Sequence, residues 1–570
     1  MDTLPKKTKM SLEIKNLILS NDLDGCIMPK NDNYFTEYSK TNNLKSVTNF
    51  SGSAGFAIFL KNKKYLFVDG RYTIQAKIES GKYFKITDYR KIFNCNLFQK
   101  LTIGLNPKFF TSDQIKKFFL KNNKIKMINS DIISQNLKRK KESKKYFFSI
   151  SKNICGESHS SKINKVLKSL KKLKADAIFV SAPENVAWLL NIRGHDNPHS
   201  PIPNCHLLLD NKKKIYLIAD KTKTKKLILE KKLTQKQIID FKELDSFVEK
   251  YPYKKIIIDR KTCSLFYENF FKRKLKVQKK DDPIYMFKAI KNKIEIHNMI
   301  KAHISDGAAL TKFLFWIKNI NKKKITEYDA QNKLESFRKK NKDYLYPSFN
   351  TIAGTGSNGA IVHYRATKKN TKTISKKQIF LCDSGGQYKF GTTDVTRTIC
   401  FSKPKKFIKS VFTKVLKGHI AVATTNLNKI KTGNLIDKRA RKFLNLSNLD
   451  YSHGTGHGVG FFSNVHEGPQ AISKFNKIFI SEGMILSNEP GYYKKGYFGI
   501  RIENLVYVKK SLGKLFFENL TLAPIDKDLI DFTKLTKFEK DYLSDYNLNV
   551  YLKLYKFLSI NERNWLATFI

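Results

Sequence analysis

Four short stretches in the second half of the chain bring together residue types that bind metal ions and move protons. Ile379-Phe380-Leu381-Cys382-Asp383 is an apolar run ending in a carboxylate, with Ser384-Gly385-Gly386 as a turn behind it. Asp394 opens the next run, Asp394-Val395-Thr396-Arg397-Thr398-Ile399, eleven residues after Asp383. A hairpin over that spacing is expected to set the two carboxylates face to face. Without a cation they would repel each other and one would hold its proton. His453-Gly454-Thr455-Gly456-His457-Gly458-Val459-Gly460 follows. Its glycines exclude a helix, so this histidine pair is not a helical metal motif, and they let the backbone pack closely. Glu489 stands in Ser487-Asn488-Glu489-Pro490-Gly491-Tyr492, and Glu503 in Ile500-Arg501-Ile502-Glu503-Asn504, an alternating pattern expected to be a strand.

Each stretch alone is weak. An aspartate at a strand end is commonly a turn former, a lone histidine a structural residue, and a glutamate beside an arginine a surface ion pair. Together, Asp383, Asp394, His457, Glu489 and Glu503 form a mostly oxygen donor set. Such a set suits Mn²⁺ or a similar cation better than a structural zinc, which favours Cys and His. Carboxylates that can bridge point to a hydrolase with two divalent metal ions.

The elements that must position these groups fall into three segments. Residues 1–150 alternate helix and strand: helical spacing over 11–20, a short buried strand at 25–28, and a hairpin from 57–60 to 65–68. The same order returns in 151–290, with a helix over 163–173, a strand at 177–180, a turn at 182–185 into 186–190, and a hairpin from 206–209 to 215–218. Two related α/β domains are therefore expected. The third segment, 291–570, opens with an amphipathic helix over 293–317 and carries the chemistry on short strands rich in Gly and His.

At 570 residues the chain calls for more than one domain, and 41% apolar residues exclude a disordered protein. The formal charge is +59, from 108 Lys+Arg against 49 Asp+Glu. The lysines are spread along the chain and Arg is sparse, so solvated faces are expected and no specific nucleic-acid partner. The densest basic run, 137–145, is expected to be an exposed link between domains. Seven cysteines at 26, 95, 155, 205, 263, 382 and 400, without a C-x-x-C, fit reduced thiols. A polar start over 1–15 and the lack of any membrane-length apolar run give the expectation of a cytoplasmic protein with no membrane partner.

At these residues the sequence resembles the pita-bread metallopeptidases, family M24, and within them the three-domain X-Pro aminopeptidases. Asp383, Asp394, His457, Glu489 and Glu503 fall on that family's metal-ligand positions in order. Asn464-Val465-His466-Glu467-Gly468-Pro469-Gln470 also fits, as do Ser51-Gly52-Ser53-Ala54-Gly55, Asp69-Gly70-Arg71-Tyr72 and 187–194 toward the N-terminus, and 520–526 through Trp565-Leu566 at the other end. One departure is 195–201, His195-Asp196-Asn197-Pro198-His199-Ser200-Pro201, which bears on substrate reach and leaves the metal site intact.

The resemblance implies an α/β (α+β) chain with two creatinase-like domains, 1–150 and 151–290, before a pita-bread catalytic domain, 291–570. It implies release of the first residue from peptides with proline second, by attack of a hydroxide bridging two metal ions, most simply Mn²⁺. Asp383 would bind one ion, His457 and Glu489 the other, with Asp394 and Glu503 between them. Glu489 would also serve as general base; His363 and His466 would stabilise the intermediate or shuttle protons, and His453 would position the substrate. A homodimer whose first two domains restrict the entrance to short peptides is implied too. The alternatives are a prolidase acting on X-Pro dipeptides, a methionine aminopeptidase, which the two leading domains disfavour, and a non-catalytic binding protein on the same scaffold.

Overall fold

The computed structural model describes residues 6–40, 42–94, 99–119, 123–128, 145–320 and 325–570. Cys95 and residues 137–144 of the basic run lie outside the described residues. The chain divides into two units, Met1–Lys152 with Glu157–Ile284, and Asn153–Gly156 with Tyr285–Ile570.

The first unit contains two six-stranded sheets. One uses Gly25–Pro29, Phe56–Leu60, Lys64–Val68, Lys85–Asp88, Thr102–Leu105 and Lys124–Met127. In space these lie in the order fourth, third, second, first, fifth, sixth. The other uses Ala177–Val180, His206–Asp210, Ile215–Ile218, Ile238–Ile239, Lys255–Asp259 and Lys276–Lys280, in the same spatial order. Strand directions agree as well. In both sheets the first strand pairs antiparallel with the second and parallel with the fifth. The repeat expected from the helix–strand–hairpin order is thus a repeat of topology.

Alternation along the strands explains the two-sided cores. Cys26, Ala57, Phe59, Leu66 and Val68 pack on one face of the first sheet, and Ile27, Phe56, Ile58, Tyr65 and Phe67 on the other. Ala177–Val180, in the middle of the second sheet, is buried at every residue and correspondingly apolar throughout. The outer strand Lys276–Lys280 (KVQKK) and its counterpart Lys124–Met127 (KIKM) are rich in lysine, which discourages further strand addition. Of the segment expected as a turn at 182–185, residues 183–185 already belong to the helix Pro183–Leu190, because proline at the first helical position loses no hydrogen bond. The six described cysteines are all buried thiols.

In the second unit the opening helix runs Lys293–Asn319. The Asn292 side chain accepts from Ile294 and Glu295 N–H, and the Glu295 carboxylate returns to Asn292 N–H. Small antiparallel sheets follow. Phe380–Ser384 lies between Ile352–Thr355 and Val395–Ile399. A five-stranded sheet runs Glu467–Ile472, Gly456–Gly458, Ile485–Asn488, Asn504–Ser511, Lys514–Asn519.

The expected simple hairpin between Asp383 and Asp394 is more elaborate. After Ser384 the chain makes a second small hairpin, Gly386–Tyr388 with Gly391–Thr392, before returning as Val395–Ile399. Asp383 therefore stands opposite Thr396, and Asp394 precedes the strand. Glu503 sits in the break between Phe498–Arg501 and Asn504–Ser511 rather than on a strand.

A buried ion pair joins the helices to this hairpin. Arg338, 0% exposed, donates from Nε to Asp306 Oδ1 at 2.7 Å and from Nη2 to Asp306 Oδ2 at 3.2 Å and Ser384 Oγ at 3.0 Å. Tyr388 donates its hydroxyl to the same carboxylate at 2.7 Å. Removing one partner of such a pair strands the other in low dielectric. Arg338→Ala is expected to lower stability by about 3–5 kcal/mol in urea unfolding. A loss under about 1 kcal/mol would mean that Asp306 is not dependent on the pair.

Candidate metal centre

Asp383 is carried by a strand buried at all five residues, so its side chain has little contact with bulk water. Oδ2 accepts from Arg501 Nη2 at 2.5 Å, while Oδ1 is buried without a hydrogen-bond partner. Asp394 Oδ2 lies 3.4 Å from His457 Nε2, and Glu489 Oε1 lies 3.6 Å from the same nitrogen. Donor atoms of Asp394, His457 and Glu503 fall within 4.8 Å of one another. Four of the five expected ligands thus converge directly. Asp383 joins them through its strand and Arg501, which donates from Nε to Thr396 Oγ1 at 3.0 Å.

Local hydrogen bonds fix each group. His457 Nδ1 lies 2.9 Å from the Gly458 carbonyl. A carbonyl only accepts, so Nδ1 carries the proton and Nε2 is turned toward the carboxylates. Ser487 Oγ accepts from His457 N–H at 2.9 Å and donates to Glu489 Oε1 at 3.1 Å, tying two candidate ligands to one hydroxyl. Thr396 does the same for Glu503: its carbonyl accepts the Glu503 N–H at 3.1 Å and its hydroxyl donates to Glu503 Oε2 at 2.8 Å. The glycine before His457 is needed for close approach. A Cβ on Gly456 would lie 1.9 Å from the Ser487 carbonyl oxygen.

The other expected residues are placed less directly. His466 sets its ring edge-on to His457, centroids 4.3 Å apart. His453 donates from Nδ1 to the Gly454 carbonyl at 2.7 Å, leaving Nε2, 2.8 Å away, to accept from the Tyr493 hydroxyl. Tyr493 in turn accepts from Arg501 Nη1 at 2.6 Å. His363 is half-buried on the excursion between Ile352–Thr355 and Phe380–Ser384. Its neighbour Tyr364 packs in a cluster that includes Leu381 and Tyr493.

Arg501, Tyr493, Thr396 and Ser487 received no role from the sequence. Arg501 had a usable signal. It stands between Ile500 and Glu503 in a buried alternating stretch, where a guanidinium needs a carboxylate. The others had none, since Ser, Thr and Tyr are common in any strand.

The electrostatics are those of a site short of positive charge. Burial, with repulsion from Asp383 and Glu489, pushes the Asp394 carboxyl up to about 6, against the pull of His457. Burial and the charges of Asp394, Glu489 and Asp383 hold Glu503 well above the carboxylate range. For His457, burial pulls downward, but the Asp394 bond and the Glu489 and Asp394 charges win and raise it to about 9. Divalent cations among these oxygens relieve the same repulsion, and the orphaned Asp383 Oδ1 offers a further donor, so the residues fit such ions. A second group of metal-type donors, Cys400, Asp526 and Asp528, already holds a cation of its own: Lys318 Nζ lies 2.8 Å from Asp526 and 2.9 Å from Asp528.

Residues 297–510 match metallopeptidase family M24, 138–295 the creatinase/prolidase N-terminal domain, and 513–568 the C-terminal region of peptidase M24. A probable Xaa-Pro aminopeptidase P of Laccaria bicolor is 34% identical, over 98% of this chain and 92% of that protein. An X-prolyl aminopeptidase of Caenorhabditis elegans, described as a cytosolic enzyme with a di-nuclear active site, superposes with a TM-score of 0.90 at 27% identity, over 100% of this chain and 99% of that one. A prolidase of Pyrococcus furiosus gives a TM-score of 0.51 at 25% identity, over 62% of this chain and 98% of that one. A creatinase-type α/β domain followed by a metallopeptidase domain of the pita-bread fold is the class these features define. The chain belongs to metallopeptidase family M24.

Because Asp394, Glu503 and His457 hold protons above their unfolded pKa values, the metal-free protein should lose stability as pH rises, from about 4 to 6 through Asp394 and from about 6.5 to 9 through His457. Metal must displace those protons, so its affinity should tighten over the same rise. Calorimetric titration with Mn²⁺ at pH 7, in buffers of different ionisation enthalpy, is expected to show proton release. Binding without proton release would overturn this account of the site.

Proposed function

We propose that the protein is a metal-dependent aminopeptidase that releases the N-terminal residue from peptides with proline at the second position. The observation that carries this reading is the end-to-end likeness to an X-prolyl aminopeptidase, both leading sheets included, around a buried carboxylate cluster. Likeness to the Pyrococcus furiosus prolidase extends over only 62% of the chain, which disfavours the dipeptidase alternative. A binding protein on the same scaffold would have no use for three buried carboxylates, Asp383, Asp394 and Glu503, with Glu489 beside them, which favours catalysis.

In this reading Asp383, Asp394, His457, Glu489 and Glu503 hold two divalent ions, Mn²⁺ being the choice that the oxygen-rich set favours. Bound there, the ions act as Lewis acids on water and on the scissile carbonyl. Glu489 takes a proton at Oε1, where Ser487 Oγ also donates, and passes it on. His453, oriented by Tyr493, faces the substrate; His466 and His363 stabilise the intermediate or carry protons. The X-Pro amide lacks an N–H, so the site has no donor to satisfy there.

Three domains, 1–150, 151–290 and 291–570, homodimer formation and a cytoplasmic location complete the proposal, with no specific nucleic-acid partner. Among the described residues no helix is long and apolar enough to cross a membrane.

Metal-stripped protein given Mn²⁺ is expected to release the first residue from an X-Pro-Pro tripeptide and not from X-Ala-Pro. Asp394→Asn and Glu503→Gln should each abolish turnover and lower bound metal while urea unfolding stays cooperative. Release from both peptides would discard the proline specificity. Activity retained in either variant would discard the two-metal assignment.

A further inference from the structure

We infer that Glu327 is the positioning residue for His363, clamping the excursion that carries it; this rests on the proposed catalytic role of His363. Glu327 is the first residue of the helix Glu327–Arg338 and is 0% exposed. Residues 356–379 leave the strand Ile352–Thr355 and return as Phe380–Ser384, with His363 about a third of the way along. The excursion has little regular structure beyond the turn Gly356–Ala360, and its tip, 367–370, is exposed. Something other than backbone pairing must hold it.

The Glu327 carboxylate touches the excursion at its start, its middle and its return. Oε1 accepts from Thr355 N–H at 2.7 Å and Asn358 Nδ2 at 3.1 Å. Oε2 accepts from Asn358 Nδ2 at 3.0 Å, the Tyr364 hydroxyl at 2.8 Å and Lys372 N–H at 2.8 Å. The neighbouring backbone reinforces the return, with Glu327 N–H donating to the Lys372 carbonyl at 2.9 Å and Ile374 N–H to the Ile325 carbonyl at 2.7 Å. Every donor to this carboxylate is neutral. A buried charge without a cation partner is tolerated only when its oxygens are fully hydrogen-bonded, and the helix N-terminus adds a favourable dipole. The same requirement works in reverse: three donor groups from the excursion, with the Thr355 N–H at the end of the preceding strand, converge on one point because the charge is there.

Tyr364 passes the restraint to the site. It is next to His363, 6% exposed, and packs in a cluster with Ile352, Leu381 and Tyr493. Fixing the hydroxyl of Tyr364 fixes the backbone from which His363 projects. Loosening it would misplace the imidazole without touching a metal donor, and a misplacement near 1 Å can cost roughly 10²-fold in rate.

The test is a double-mutant cycle on the full chain loaded with Mn²⁺, hydrolysing X-Pro-Pro. Glu327→Gln is expected to lower kcat by roughly 10²-fold with KM and calorimetric Mn²⁺ affinity little changed. His363→Ala should also lower kcat, and the double variant should be no slower than His363→Ala alone. Tyr364→Phe, which removes one donor and leaves the carboxylate otherwise bonded, should show a smaller loss with the same non-additivity; it carries the test if Glu327→Gln does not fold. Multiplying losses, an intact kcat in Glu327→Gln, or a loss residing in Mn²⁺ affinity would overturn the clamp alone. A silent His363→Ala would overturn both the clamp and the role of His363.

Discussion

The second unit is organised around one unfavourable fact: several carboxylates are buried within a few ångströms of one another. Left to itself such a cluster would take up protons or water, and the raised Asp394 and Glu503 show how strongly burial and mutual repulsion act. The surrounding structure is arranged to hold these groups in place despite that cost. The three largest fully buried side chains among the described residues are Arg338, Arg397 and Arg501, all in this unit. Arg501 meets Asp383 directly. Arg397 has a different part. Its guanidinium donates to the carbonyls of Thr396, Glu503, Ala523 and Pro524 and to Asn504 Oδ1 and the Tyr546 hydroxyl. It thus fastens the Thr396 carbonyl to the peptide of Glu503 and to the C-terminal segment.

Strand geometry supplies the remaining precision. A carboxylate on a flexible loop would swing away from its neighbours, so the candidate ligands sit at strand ends or next to them, where the backbone is already paired. Asp383 is one residue from the end of its strand, Asp394 one before the next, and Glu489 directly follows Ile485–Asn488. Single hydroxyls then set the side chains, Ser487 for His457 and Glu489, Thr396 for Glu503. His466 is steadied from the other side. The adjacent Glu467 is fully buried between Lys288 Nζ at 2.8 Å and Lys291 Nζ at 2.5 Å.

The sequence made some of this readable and left the rest hidden for physical reasons. Carboxylates and histidines in apolar or glycine-rich surroundings are costly unless used, so the five ligand candidates stood out before any geometry was known. The repeated helix–strand–hairpin order was visible because strand periodicity and turn residues are local properties. Register is not local. The second small hairpin inside 384–394, which offsets Asp383 from Asp394, depends on pairing with Tyr344–Pro347, some forty residues upstream. The break at Ile502-Glu503 depends on the Thr396 carbonyl capturing the Glu503 N–H. Glu327 was invisible for the same reason, since its partners are scattered from 355 to 372.

Charge balance then argues for how many ions the cluster suits. Asp383, Asp394, Glu489 and Glu503 bring four negative charges when fully ionised. One of these, on Asp383, is already paired with Arg501; the other three exceed the charge of one divalent ion in a low-dielectric interior. The orphaned Asp383 Oδ1 is not one of the mutually close Asp394–His457–Glu503 donors; Asp383 is linked to them through Arg501 and Thr396, whose hydroxyl accepts from Arg501 and donates to Glu503. A single ion centred on the histidine would leave that orphaned oxygen unused. The donor set is therefore better matched to a pair of ions than to one.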